Sequence, residues 1–399
     1  MHTVTVLHKL LEHSVPSIHA ARLDAFLVAV QALVQGARAS VTSLGRHLSG
    51  KAFTKHKIKR VDRLLSNTHI FREVSEIYAA LTQRLLSGLV EPIIIIDWSP
   101  LCADQSWQLL RAALPVGGRT LTLYEEVHPQ CKLGNRKIQH AFLGKFARMV
   151  PDQCRPIVVA DSGFRTPFFR YIEKTLDWHW VGRIRGRDHL RWEDDKPWFS
   201  AKTLHDGATT TAKKLGLVQW VKNNPLSASV VLLRQPKKRR QSLTLKGEKR
   251  RSKVHNVHAD REREPWLLVT SVSLQQRTPK QIVNIYRARM QIEEGFRDCK
   301  AVHYGFCLTQ NRRMNKQRRT IMCLIAACAL FVLWCVGLAG KETPMAKQVR
   351  VNSSSKRESY SVIFLAKLLI AQACFRITKS AADNALKQIK PYMESVLCG

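Results

Sequence analysis

The sequence predicts an α/β protein, with a strand-rich core interrupted by a further β-rich segment and helical regions at both ends. Three observations predict it. Two apolar runs, EPIIIIDWS (91–99) and RPIVVADSGF (155–164), have the length of buried strands, and each closes on an aspartate, Asp97 and Asp161. Between them, WQLLRAALPVGGRTLTLYEEV (107–127) reads as two strands around the turn residues Gly117 and Gly118. Helical periodicity fills the first 75 residues and returns after Ser361.

Charge narrows the function classes. The 399 residues carry 65 Lys and Arg against 30 Asp and Glu, a formal charge of +35. That excess points to a polyanionic partner, nucleic acid first and an anionic membrane surface second. Ten cysteines form no C-x-x-C pair, and several sit in apolar runs, so neither a zinc signature nor a disulfide framework is expected. The first twenty residues lack the basic head and long apolar core of a signal peptide. The expected location is a reducing cytoplasm.

Taken in order, residues 1–75 form a helical domain. Within it, SVTSLGRHLSGKAFTKHKIKRVDRLLSN (40–67) reads as a helix, a turn at Gly50, and a second helix carrying Lys55, Lys57, Lys59, Arg60 and Arg63. Its apolar set (Ile58, Val61, Leu64, Leu65) falls on another face, so one helix can pack inward and present cations to DNA phosphates. Residues 76–186 then give the strand ending in Asp97, the hairpin, a helix (137–150), the strand ending in Asp161, a helix (166–176) and a strand (178–186). Carboxylates at strand ends project at a sheet edge, where ligands bind in open α/β folds. This order resembles a ribonuclease-H-like sheet, in which three carboxylates hold divalent metal ions.

Residues 187–264 read as a β-rich insertion. Its stretch KKRRQSLTLKGEKRRSK (237–253) carries nine basic residues and one acidic, which suits a loop on DNA backbone or, alternatively, a disordered charged loop. Residues 265–340 resume the core with YRARMQIEEGFRDCK (286–300). Read as one helix, it lines up Tyr286, Arg289, Glu293, Arg297 and Lys300 on a single stripe. The bland alternative is a surface ladder built on the Glu293–Arg297 spacing. The sharper reading is a metal-binding carboxylate beside groups that grip phosphate, with Glu294, about 100° away, structural. Next, IMCLIAACALFVLWCVGLAG (321–340) is twenty residues without a charge, long enough to span a bilayer but expected as a buried core helix. Residues 341–399 form a connection and a C-terminal helical region.

Two divalent ions about 4 Å apart can activate an attacking oxygen and stabilise the leaving oxygen in phosphodiester chemistry. Asp97, Asp161 and Glu293 supply hard oxygen donors of the kind magnesium prefers. No nucleophile elbow, phosphate-binding glycine loop or H-E-x-x-H is present, which suits attack by water or by a DNA 3′-hydroxyl.

With these residues placed, the sequence resembles the DDE transposases of bacterial insertion sequences. Their Y-x2-R-x3-E-x6-K signature stands here as Tyr286, Arg289, Glu293 and Lys300. TKHKIKRVDRLL, DWS, TLYE, RIRG, REPW, RTPKQ and MQIEE, in that order, look most like the insertion-sequence-four family, close to the transposase of the tetracycline-resistance composite transposon. The resemblance covers about residues 1–335. It implies cut-and-paste transposition with two Mg2+ ions (Mn2+ able to substitute) held by Asp97, Asp161 and Glu293. It also implies nicking at double-stranded terminal inverted repeats, a hairpin intermediate, joining to target DNA, and a homodimer assembled on DNA. Arg289, Lys300, Arg297 and Tyr286 would meet DNA around the scissile bond, and Trp266 stands where related enzymes stack a flipped base. Two other classes stand beside this one: an inactive DNA-binding regulator with the same scaffold, and a membrane-associated basic protein built around residues 321–340.

Overall fold

A computed structural model describes residues 5–192, 195–235, 264–311, 313–341, 343–349, 360–372 and 377–398. The basic stretch 237–253, expected on DNA backbone, lies outside the described residues. The chain opens with helices α1 (Thr5–Ser14), α2 (Ala20–Val34), α3 (Val41–His47), α4 (Thr54–Leu65) and α5 (Thr68–Leu86). Strands β1 (Ile93–Pro100), β2 (Trp107–Pro115) and β3 (Thr120–Pro129) follow, then α6 (Arg136–Ala147). Next come β4 (Ile157–Ala160), α7 (Thr166–Lys174), β5 (His179–Ile184), β6 (His189–Arg191), β7 (Phe199–Ser200), β8 (Lys213–Trp220), β9 (Leu226–Leu233) and β10 (Trp266–Thr270). Helices α8 (Pro279–Ala288), α9 (Met290–Lys300), α10 (Lys316–Lys341), α11 (Pro344–Gln348), α12 (Val362–Ala371), α13 (Lys379–Lys387) and α14 (Ile389–Cys398) complete it.

Packing divides the chain into two compact units, Met1–Arg155 with Met290–Ser395 and Pro156–Arg289 with Val396–Gly399. In the first, β1, β2 and β3 form an antiparallel meander. The turn between β2 and β3 needs two residues at positive φ, which Gly117 (80°) and Gly118 (82°) supply without a Cβ clash. Among the N-terminal helices, Ser40 caps α3 through the Ser43 amide, and Asn67 caps α5 through the amides of His69 and Ile70. Helix α4 buries Val61, Leu64 and Leu65 while Lys55, Lys59, Arg60 and Arg63 stay exposed, so its apolar and basic sets separate as the periodicity predicts.

Helix α10 is the axis of this unit. It is long and apolar enough to cross a membrane, yet 94% of its most apolar 18-residue window is buried inside the protein. It packs against α2, α5, α12, α13 and β3. A helix apolar on every side is satisfied when other elements surround it.

In the second unit β4 and β5 are parallel, joined through α7, and β10 lies antiparallel between β5 and β9. The order is β4-β5-β10-β9-β8-β6-β7. Strands β6 to β9, from the segment read as an insertion, thus extend the same sheet as β4 and β5.

Candidate active site

In the first unit the site grows from β1. Four isoleucines bury its first half, and the strand then opens at Asp97, Trp98 and Ser99. Asp97 pairs with Arg111 across β1 and β2, and Arg111 pairs with Glu125 across β2 and β3. Directly opposed residues share a face of a sheet, so these three form one row. The Arg111 Nε donates to Glu125 at 2.6 Å, with both side chains 1% exposed. The Tyr78 hydroxyl also donates to Glu125, at 2.9 Å. Arg111 reaches the Cys299 sulfur at 3.4 Å and lies 4.8 Å from the Phe296 ring centroid, which seats α9 on this face.

Helix α9 brings two of the expected residues. Lys300 donates to the Ser99 hydroxyl, and its ammonium stands 4.6 Å from the Phe296 centroid. Burial, with Arg111 nearby, pushes the Lys300 ammonium down to about 8. Ser99 is two residues beyond Asp97, so both side chains leave the same face of β1. Glu293 lies two turns before Lys300, on the same stripe and about 10 Å along the axis, and is exposed. Asp97, Lys300 and Glu293 therefore belong to one face of this unit.

The adjacent face of α9 is held by the hairpin tip. The Gly118 amide donates to Gln291 at 2.9 Å. Arg119 pairs with Asp298 at 2.9 Å and with Glu294 at 3.5 Å. Glu294 also pairs with Arg297 at 2.8 Å. Glu294 is thus occupied structurally, as its offset predicts, and Arg297, placed by its sequence spacing beside Glu293, pairs one residue further on. Burial pushes Asp298 up to about 6 against the pull of Arg119.

The second unit carries the other expected residues. Asp161 follows β4, and its Oδ1 accepts the Gly163 amide at 2.8 Å. The next residue, Ser162, accepts from Arg185 Nε at 2.8 Å. Trp266 opens β10 and meets Tyr286 edge to face at 5.0 Å. Tyr286 is 3% exposed and packs against Trp266. Its ring supplies the apolar contact that a strand-end tryptophan needs.

The single helix expected over 286–300 is two helices. The Arg289 amide bonds to the Tyr286 carbonyl at 3.1 Å, three residues back, and this tightened turn ends α8 before α9 begins at Met290. The signature is divided accordingly, with Tyr286 and Arg289 in the second unit and Glu293 and Lys300 in the first. The N-terminal cations Lys59 and Arg60 make surface pairs with Asp62 (3.1 Å) and Asp24 (2.8 Å), contacts that water and salt weaken readily.

The three carboxylates fit a hard divalent cation by donor type. Asp97 and Glu293 belong to the first unit and Asp161 to the second, and among the described residues no three His, Cys, Asp or Glu side chains are gathered as a metal would need. Sequence reasoning also passed over Ser99, Arg111, Glu125 and Arg119. Ser99 stood in the DWS motif, but its partner lies 201 residues away.

A family model described as the transposase DDE domain matches residues 88–331, more than half of the chain. No curated protein matches the chain by sequence. Among solved structures, the chain is similar to the piggyBac transposase in a cryo-EM synaptic complex with hairpin DNA. That similarity has 11% identity over 99% of this chain and 80% of the other, with a TM-score of 0.41.

Proposed function

The chain belongs to the transposase DDE-domain family, and on that premise we propose that it is a cut-and-paste DNA transposase of the insertion-sequence-four type. A DDE domain is a nuclease and strand transferase that uses divalent metal ions, and transposases bind DNA. The finer reading is that this chain recognises the terminal inverted repeats of its own element, cuts each end through a hairpin intermediate and joins the ends to target DNA. It acts as a homodimer on DNA in the bacterial cytoplasm, on a ribonuclease-H-like core.

The observation that carries this reading is the seating of α9 on the meander. Lys300 is anchored at Ser99, two residues from Asp97, and Glu293 is exposed on the same stripe. Asp97 and Glu293, with Asp161, would hold Mg2+, two ions with Mn2+ able to substitute. A bound divalent ion would supply charge neutralisation and a more acidic attacking water. The chain's own part is to bring anionic DNA to an acidic site. Lys300 offsets the repulsion between phosphate and carboxylates, and Arg289 with the α4 cations Lys55, Lys57, Lys59 and Arg60 takes phosphates further out.

The test is cleavage of a duplex bearing the terminal inverted repeat, with Mg2+. Asp97→Ala, Asp161→Ala and Glu293→Ala are each expected to abolish nicking and hairpin formation while binding is retained. Normal cutting by any of the three removes that residue from the site. A wild-type chain that binds the repeat but never cuts in Mg2+ or Mn2+ is instead the inactive regulator.

A further inference from the structure

Phe53 is the most exposed large apolar side chain among the described residues, at 75%. It stands at the N-cap of α4, where Ser, Thr, Asp or Asn would satisfy free backbone amides. Phe53 makes no capping hydrogen bond through its side chain. The start of α4 therefore forgoes a cap and leaves an aromatic ring in water, unfavourable on both counts. Covering the ring would recover the second loss.

The surroundings specify what covers it. Phe53 sits within KAFTKHK, where Lys51, Lys55 and His56 are exposed and Lys57 is half-buried. The His56 ring is its neighbour, 6.3 Å away between centroids. His56 also lines, with Arg22, Lys59, Arg60 and Arg63, an open groove of about 300 Å³ against α2. An apolar protein surface or lipid tail placed on Phe53 would bring no negative charge to this cation-rich groove and would desolvate its charged rim. Duplex DNA matches both features, because phosphates flank a groove floor that carries apolar thymine methyl groups.

Resting on the DNA-binding reading above, we infer that Phe53 is a base-reading residue. Its ring contacts the groove floor of the terminal repeat while the cations of α4 hold the flanking phosphates. The geometry agrees with helix pairs in which residues at the start of the second helix reach base edges.

The test uses the full chain and two duplexes, one with the terminal inverted repeat and one of equal length and composition in scrambled order, over a salt series. Phe53→Ala is expected to weaken binding to the repeat roughly five- to hundredfold and to leave the scrambled duplex and the salt slope unchanged. Lys55→Ala is expected to weaken both duplexes alike and lower the slope by about one. Phe53→Leu should retain part of the discrimination. Equal weakening of both duplexes by Phe53→Ala, or no weakening, overturns the inference. So does a change of oligomeric state with discrimination intact, which would assign the ring to a second copy. The cleavage variants report on the catalytic reading separately, so failure of one is distinguishable from failure of the other.

Discussion

Arg111 and Glu125 form a buried ion pair, 2.6 Å apart, in the same cross-strand row as Asp97. The pair is where the sheet meets the helix that carries Glu293 and Lys300, because Arg111 also reaches Cys299. Removing one partner of such a pair leaves an uncompensated buried charge. Glu125→Ala is expected to cost about 3–5 kcal/mol, read as a lower denaturant midpoint. An unchanged midpoint would mean that the pair contributes nothing to holding the meander.

Lys300 provides a titration. Its ammonium is pushed down to about 8 by burial, so in the DNA-free protein it is mostly charged at pH 7 and loses its proton as pH rises through about 8. Detection of the Lys300 amine by NMR should show that midpoint. Lys300→Arg keeps its charge throughout, since guanidinium does not deprotonate in this range. A lysine midpoint near the usual value would contradict the buried contact with Ser99.

Glu126 makes an acid-stability prediction. Burial opposes its ionisation, but hydrogen bonds from His128, Lys145 and Tyr124 outweigh this and hold the carboxyl at about 2. A depressed folded value stabilises the protein above the ordinary value of 4.5, and that stability is lost as pH falls toward about 2. The contribution at neutral pH is about 3 kcal/mol. Glu126→Gln should flatten the fall in melting temperature between pH 5 and pH 2. A parallel fall in both proteins would rule this carboxyl out as the source.

The seating of α9 can be probed at Gly295. A Cβ there would lie 2.2 Å from Thr120 Oγ1, while the next nearest atom is at 3.6 Å. Gly295→Ala is expected to destabilise by about 1–3 kcal/mol and to lower cleavage through displacement of α9. Thr120→Ala removes the clashing oxygen, which has no hydrogen-bond partner among the described residues, so the double variant should recover most of the loss. Additive losses would show that the clash is not the cause.

Much of the scaffold was legible in residue order because its signals are local. Four isoleucines ending in Asp97 announce a buried strand, Gly117-Gly118 announces the hairpin, and the charge-free run 321–340 announces a helix that must be covered. The separation of basic and apolar faces on α4 followed from helical period alone. Each needs only neighbours within a turn or two of chain.

What tertiary structure decided lies beyond that range. Counted back from the Gly117-Gly118 turn, Arg111 would oppose Tyr124; a bulge after Ala112 moves it opposite Glu125 and creates the buried pair. The break at Arg289, the choice of Arg119 and Arg297 by Glu294, and the meeting of Lys300 with Ser99 likewise depend on how elements pack. Residue order by itself determined the α/β elements and the excess of cations, since propensity and charge belong to residues and short windows. Which groups stand opposite one another was decided only by packing, because a one-residue shift of register or a single tightened turn changes partners at no visible cost in composition.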